Sequence, residues 1–194
     1  MPPLARPLIA TERLLLRAAE PAQADAVCDF HVRNRAHFAP WDPPTGEAFF
    51  TAAFQAERLQ QAAEAFAAGT GYRYWLTLHE APERVVGSVH FSQIARGAFH
   101  NAVLGYALDA ELQGRGLMTE ALRAGIAEMF SPAVNLHRVQ ASHRPDNTRS
   151  AATLRRLGFH AEGLARQVLF IDGAWRDHVV TALLNPAFRP PVGW

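Results

Sequence analysis

At 194 residues, with 49% apolar and 19% charged residues, the chain can bury one sizeable core, which excludes a disordered or collagen-like polymer. Its formal charge of +1 is too small for a bulk grip on nucleic acid, so no direct nucleic-acid binding is expected. All 19 basic residues are arginine, which leaves the N-terminus as the sole aliphatic amine. A lone cysteine, Cys28, excludes an intrachain disulfide and a thiolate metal cluster. No run approaches ~18 apolar residues, and Met1-Pro2-Pro3-Leu4 lacks the basic-then-apolar pattern of a secretion signal. A cytoplasmic protein with no membrane association is the expectation.

Leu14-Leu15-Leu16-Arg17 reads as an opening strand, and Pro21 starts a helical stretch to about Val32, with Cys28 in its core-facing set. Ala39-Pro40-Trp41-Asp42-Pro43-Pro44 reads as a rigid, extended loop. Glu47 to Ala68 predicts one long Ala-rich helix ended at Gly69. Tyr72–Leu78, Val85–Phe91 and Ala102–Leu108 are strand-like, being rich in β-branched or aromatic residues between breaks. Leu117, Met118, Ala121, Leu122, Ile126 and Met129 follow helical spacing up to Ser131-Pro132. Val139–Ser142 is a short strand, and Thr148–Leu157 a helix capped by Gly158. Leu164–Ile171 and Trp175–Leu184 form a hairpin about Asp172-Gly173, a pair suited to a two-residue turn at positive φ. No internal repeat or dividing linker appears, so a single α/β (α+β) domain over residues 1–194 is expected.

The most informative stretch runs from Leu104 to Thr119. There a strand enters a loop holding Gln113, Gly114, Arg115 and Gly116, which opens directly onto the helix at Leu117. Glycine lets backbone approach a ligand closely, and the first helical amides have no intrahelical acceptor. With the helix dipole they make a site for an anion such as a diphosphate.

Gln113-Gly114-Arg115-Gly116-Leu117-Met118 resembles the Q/R-x-x-G-x-G/A signature of the GNAT N-acetyltransferases, with Met118 where the family usually has Gly or Ala. Asn147-Thr148-Arg149-Ser150 and Leu157-Gly158-Phe159 resemble the family's N-x-x-S helix start and L-G-F ending. A closer likeness is to the Rim-type ribosomal-protein-alanine N-acetyltransferases. It rests on Asn34-Arg35, Pro40-Trp41, Phe91-Ser92, Arg96-Gly97, His137-Arg138 and the run Ile171 to His178.

The resemblance implies a mixed, mostly antiparallel central sheet of about seven strands, flanked by helices and splayed in the middle to admit acetyl-CoA. Tyr106, Ala107 and Leu108 would pair with the pantetheine as an added strand. Gln113, Gly114, Arg115, Gly116, Leu117, Met118 and Thr119 would cradle the diphosphate. The Tyr106 amide would face the thioester oxygen. Asn147 is a helix N-cap, a cofactor contact or both. Ser150 would protonate the departing thiolate or hydrogen-bond the cofactor. The strand Asn101–Leu108 holds no carboxylate, so the base is water or lies elsewhere; His100, with an ordinary pKa near 6.5, is the nearest titratable candidate upstream. Trp41, Trp175, Asp177 and His178 would wall the acceptor pocket. The nine histidines show no H-E-x-x-H or other ligand spacing, so no metal is expected.

The acceptor implied is a protein N-terminus, that of an alanine-starting ribosomal protein, reached by direct attack in a ternary complex. A small amine (an aminoglycoside, polyamine or amino-acid derivative) is the alternative, and a non-catalytic acyl-CoA-binding module a third reading. The chain reads equally as monomer or homodimer.

Overall fold

Leu14, Leu16 and Ala18 are buried while Leu15 and Arg17 are half-exposed, the two-residue period of a strand with one face on the core. In the computed structural model, which describes residues 8–191 and Gly193, this strand lies next to the edge of an eight-stranded sheet. The Met1-Pro2-Pro3-Leu4 start lies outside the described residues. Across the sheet run β1 (Leu8–Ala10), β2 (Leu14–Ala18), β3 (Tyr72–Leu78), β4 (Ala81–Ala95), β5 (Asn101–Leu108), β6 (Arg138–His143), β8 (Ala174–Leu184) and β7 (His160–Ile171). Every neighbouring pair is antiparallel except β5 with β6. The additional strand, β1, has three residues, too few for alternation to declare it; pairing with β2 creates it.

Helices cover both faces. On one, α4 (Leu117–Phe130) lays Leu117, Ala121, Leu122 and Met129 on Tyr74, Leu76, Val89 and Phe91. Fully burying Leu117, Leu122 or Met129 stabilises by ~1.5–3 kcal/mol each. On the other, α1 (Ala24–Arg33) and α3 (Ala52–Ala67) pack Val27, Phe30 and Leu59 on Trp75 and Val85. The short α2 (Arg35–Phe38) follows α1, and α5 (Thr148–Arg156) follows β6. Cys28 is half-buried, with its thiol donating to the Phe50 carbonyl at 3.3 Å.

Two expectations need correction. The stretch from Glu47 to Ala68 is not one helix: Glu47–Phe50 is a 3₁₀ turn, and Thr51 is extended at φ −116°, ψ 144°. Thr51 Oγ1 accepts from the Phe54 amide at 3.3 Å, so a cap starts α3 inside the Ala-rich run. Nor is Ala39-Pro40-Trp41 extended. Ala39 is helical at φ −50°, ψ −38°, and the Trp41 amide donates to the Phe38 carbonyl at 2.8 Å. The Arg144 guanidinium donates to the Pro40 carbonyl at 2.7 Å and lies over the Trp41 ring at 5.1 Å, and these contacts prevail over the pre-proline preference. The Asp172-Gly173 turn is as expected, both residues having positive φ (51° and 70°).

At the sheet centre Gly105 on β5 faces His90 on β4, and a Cβ at Gly105 would collide with the imidazole. Gly105→Ala is expected to cost about 1–3 kcal/mol of stability in urea unfolding, as overpacking does. Adding His90→Ala should recover most of that loss.

Candidate functional site

The parallel pairing of β5 with β6 runs from Asn101↔Arg138 to Leu104↔Ala141 and stops. Beyond it Ser142 and His143 pair only with Val180 and Val179 of β8, while Gly105–Leu108 stay on β4. The central strands part in a V. Burial follows: Asn101, Ala102 and Leu104 are buried, whereas Gly105, Tyr106, Ala107 and Leu108 are all half-exposed. Along Gly105–Leu108, alternate N–H and C=O groups face the gap with no strand partner.

The end of β5 is tied down by a buried carboxylate. Asp109 is 2% exposed; its side chain takes Arg33 Nε at 3.0 Å, and its amide donates to Val86 at 2.8 Å. Next come Gly114 and Gly116 at φ 77° and 78°, a left-handed geometry that glycine adopts without strain. Above Gly114 the space is open. Among the described residues, no protein acceptor takes the amides of Leu117, Met118 and Thr119 at the start of α4. Met118 does not obstruct them: its side chain is 8% exposed and points into the core beneath the helix.

Gln113 is held from both sides of the gap, its amide nitrogen 2.7 Å from His37 Nε2 and its oxygen accepting from Arg149 at 2.5 Å. Arg13 donates to the Arg115 carbonyl at 2.9 Å and pairs with Glu120 at 2.7 Å, fixing the loop from below. Partial desolvation pushes Glu120 up, but the hydrogen bond from the Thr11 hydroxyl and the contacts with Arg13 outweigh it and hold the carboxyl below its usual range.

The gap itself is bridged by Tyr106. Its hydroxyl lies 2.7 Å from Ser150 Oγ at the start of α5, and burial pushes the phenol up to about 12, so it stays protonated at neutral pH. The Ser150 amide donates to Asn147 Oδ1 at 3.0 Å, the N-cap bond of α5.

The sequence model of the acetyltransferase (GNAT) domain matches residues 13–160. The chain belongs to the GNAT acetyltransferase family. It is 38% identical over 183 residues to the [Ribosomal protein uS5]-alanine N-acetyltransferase of Escherichia coli (strain K12), covering 94% of this chain and 93% of that one. The Vibrio fischeri ribosomal-protein-S5-alanine acetyltransferase superposes with a TM-score of 0.91 at 36% identity, over 95% of this chain and all of the other. A Mycobacterium smegmatis RimJ in complex with CoA-disulfide has a TM-score of 0.81 at 30% identity, covering 88% and 81% of the two chains.

Against this GNAT frame the expected site residues divide. Apart from the Met118 side chain, Tyr106, Ala107, Leu108, the loop from Gln113 to Thr119, Asn147 and Ser150 converge on the gap. His100 does not. It precedes β5 at the closed end of the V, six residues and about 20 Å of strand from Tyr106. Its ring nitrogen Nδ1 contacts the Gly97 carbonyl at 2.5 Å and its carbonyl takes the His137 and Arg138 amides, a structural role.

The acceptor quartet also separates. Trp41 lies on Arg144, and extending the β6–β8 register places His178, 5% exposed, opposite that arginine. Trp175 is 60% exposed near the hairpin tip, and Asp177 accepts from the Gln167 amide at 2.8 Å within the hairpin. Arg13, His37, Arg144 and Arg149 are the positioning residues that sequence reasoning missed. Arg149 lies inside the Asn147–Ser150 run; the others had no local signal.

Gly116→Asp would put a carboxylate against the diphosphate site and a side chain at positive φ, which costs about 1–2 kcal/mol of stability. Coenzyme A affinity by calorimetry is expected to fall at least tenfold, about 1.4 kcal/mol, with the fold retained by circular dichroism.

Proposed function

We propose that this GNAT protein transfers acetyl from acetyl-CoA to the N-terminal α-amine of a polypeptide, an alanine-starting ribosomal protein of the uS5 kind. The observation that carries the reading is the V between β5 and β6, with Tyr106 and Ser150 across it and free helix amides at its end. The 38% identity to an enzyme named for uS5 alanine, over nearly all of both chains, supports this acceptor class. Among the described residues no helix is long and apolar enough to cross a membrane.

The residues present fit the cofactor: an edge of unpaired backbone for the pantetheine amides and a glycine-bearing helix start for the diphosphate. Bound acetyl-CoA supplies the acetyl group as a thioester. The Tyr106 amide is assigned to the thioester oxygen, where negative charge develops as the amine nitrogen bonds the carbonyl carbon. Ser150 would give a proton to the departing thiolate and regain one through its 2.7 Å contact with Tyr106, whose phenol is reprotonated from water, while the attacking nitrogen would lose its second proton to water as the amide forms. The ammonium proton leaves to water before attack. At pH 7.5 roughly a third of α-amines with pKa about 7.7–8.0 are already neutral, against about one lysine in a thousand. A β5 without a carboxylate therefore suffices for an α-amine and is poorly equipped for lysine. Trp41 and His178 are assigned to the acceptor mouth.

Ser150→Ala is expected to lower kcat about 100-fold while coenzyme A affinity changes less than threefold. Equal losses in both would recast Ser150 as a binding residue. Matched peptides test the acceptor, one with a free N-terminal alanine, the other N-blocked with an internal lysine. Thiol release should appear with the first alone; preference for the blocked peptide overturns the N-terminal reading, and turnover of small amines only would make them the substrates.

A further inference from the structure

A cavity of about 300 Å³ opens between α3 and the β3–β4 face, away from the diphosphate loop. Gln55, Arg58, Tyr72, Arg73, Trp75 and His90 line it, and no Asp or Glu does. Among the described residues, Arg58 from α3 reaches only the neutral Gln55 Oε1 at 3.3 Å and lies over Phe49 at 4.8 Å. Among the described residues the Arg73 guanidinium has no hydrogen-bond or ion-pair partner; it sits over Trp75 at 5.9 Å. Arg33, Arg138 and Arg144, similarly half-buried, each grip a carboxylate. His90 Nδ1 is buried with no partner, and burial with the two nearby arginines lowers that histidine to about 3, so it stays neutral. Burial lowers Arg73 to about 10, with the like charge of Arg58 adding to it. Two desolvated cations without an anion are costly, and a ligand bearing one would relieve that cost.

Position names the ligand. Arg73 pairs with His90, and His90 with Gly105, so one row crosses three strands from the cavity to the splayed part of β5. Two strand spacings, about 10 Å, separate Gly105 from Arg73. An extended peptide whose amine reaches the thioester advances about 3.3 Å per residue, which brings its third or fourth side chain level with the arginines.

We propose that the Arg58–Arg73 cavity is a specificity subsite for a carboxylate side chain on the third or fourth residue of the acceptor polypeptide. This rests on the N-terminal acceptor reading, and the test separates the two. Alanine-starting peptides carrying Glu, Gln or phosphoserine at position three or four are compared by thiol release. Wild type is expected to show about tenfold higher kcat/KM for Glu over Gln at one of these positions. Arg73→Gln and Arg58→Gln should each bring that ratio near one while leaving the Gln peptide within threefold of wild type; Arg73→Lys should restore part of it. Thermal melting checks that each variant is folded. Should wild type acetylate Glu and Gln peptides equally, or the variants slow both alike, the subsite is overturned while the N-terminal reading stands. Preference for phosphoserine over Glu reassigns the cavity to phosphate and overturns the carboxylate. If no alanine peptide is acetylated but small amines are, the N-terminal reading falls and the subsite with it.

Discussion

The parting of β5 from β6 after Leu104 and Ala141 is the constraint on which the rest of the molecule depends. Inside a sheet, a strand that loses a neighbour leaves a row of unpaired N–H and C=O groups, each needing water or a ligand. Both strands are held apart by their other attachments. β5 stays on β4 through Leu108↔Gly87 and is locked by the buried Asp109–Arg33 pair, while β6 follows β8 to His143↔Val179. Asp109 also takes Arg84 at 3.4 Å and Arg33 also grips Asp29, so a small ion-pair network holds the end of β5 on the β4 side of the gap.

Around this opening the two helical faces do different work. The α4 face is apolar beneath and ends in free amides above, so it buries Met118 and presents backbone donors from the same turn. The opposite face, under α1 and α3, carries the aromatic ladder of Phe30, His31 and Trp75 and the cavity that Arg58 and Arg73 line without a carboxylate. Gln113 joins the two faces, touching His37 on α2 and Arg149 on α5, so the loop that would receive the diphosphate is braced from both. Arg144 does the same at the other rim, holding Pro40 and Asp146 at once. Sparing side chains thus rigidify a mouth whose backbone must stay open.

Much of this was legible along the chain because its causes are local. The spacing of Leu117, Ala121 and Leu122 shows one helical face, Asp172-Gly173 has the turn chemistry of a hairpin, and Gly114 and Gly116 stand where φ is positive. Asn147, three residues before Ser150, is both a family motif and an N-cap. A period or a dihedral preference needs only neighbouring residues, so it survives into the fold unless something distant opposes it. Local preference also had limits. Ala propensity ran through Thr51, whose cap starts the helix anew, and the pre-proline preference of Ala39 yielded to hydrogen bonds from the turn and from Arg144.

Only the tertiary structure decided what meets across the sheet. That β1 exists, that His100 lies at the closed end of the V, and that His90, Gly105 and Arg73 form one row all depend on register between strands far apart in sequence. The same holds for Arg13 beneath the Arg115 loop and for Arg58 beside Arg73 with no carboxylate between them. By itself the sequence determined the family, the order of its main elements and the loop that opens onto α4, because motif spacing and backbone preference are one-dimensional. Which titratable groups lie near the splayed end of β5, and which cations line the cavity under α3 without a carboxylate, followed only from pairing and burial, since electrostatic partners are set by distance in space and desolvation by what covers them.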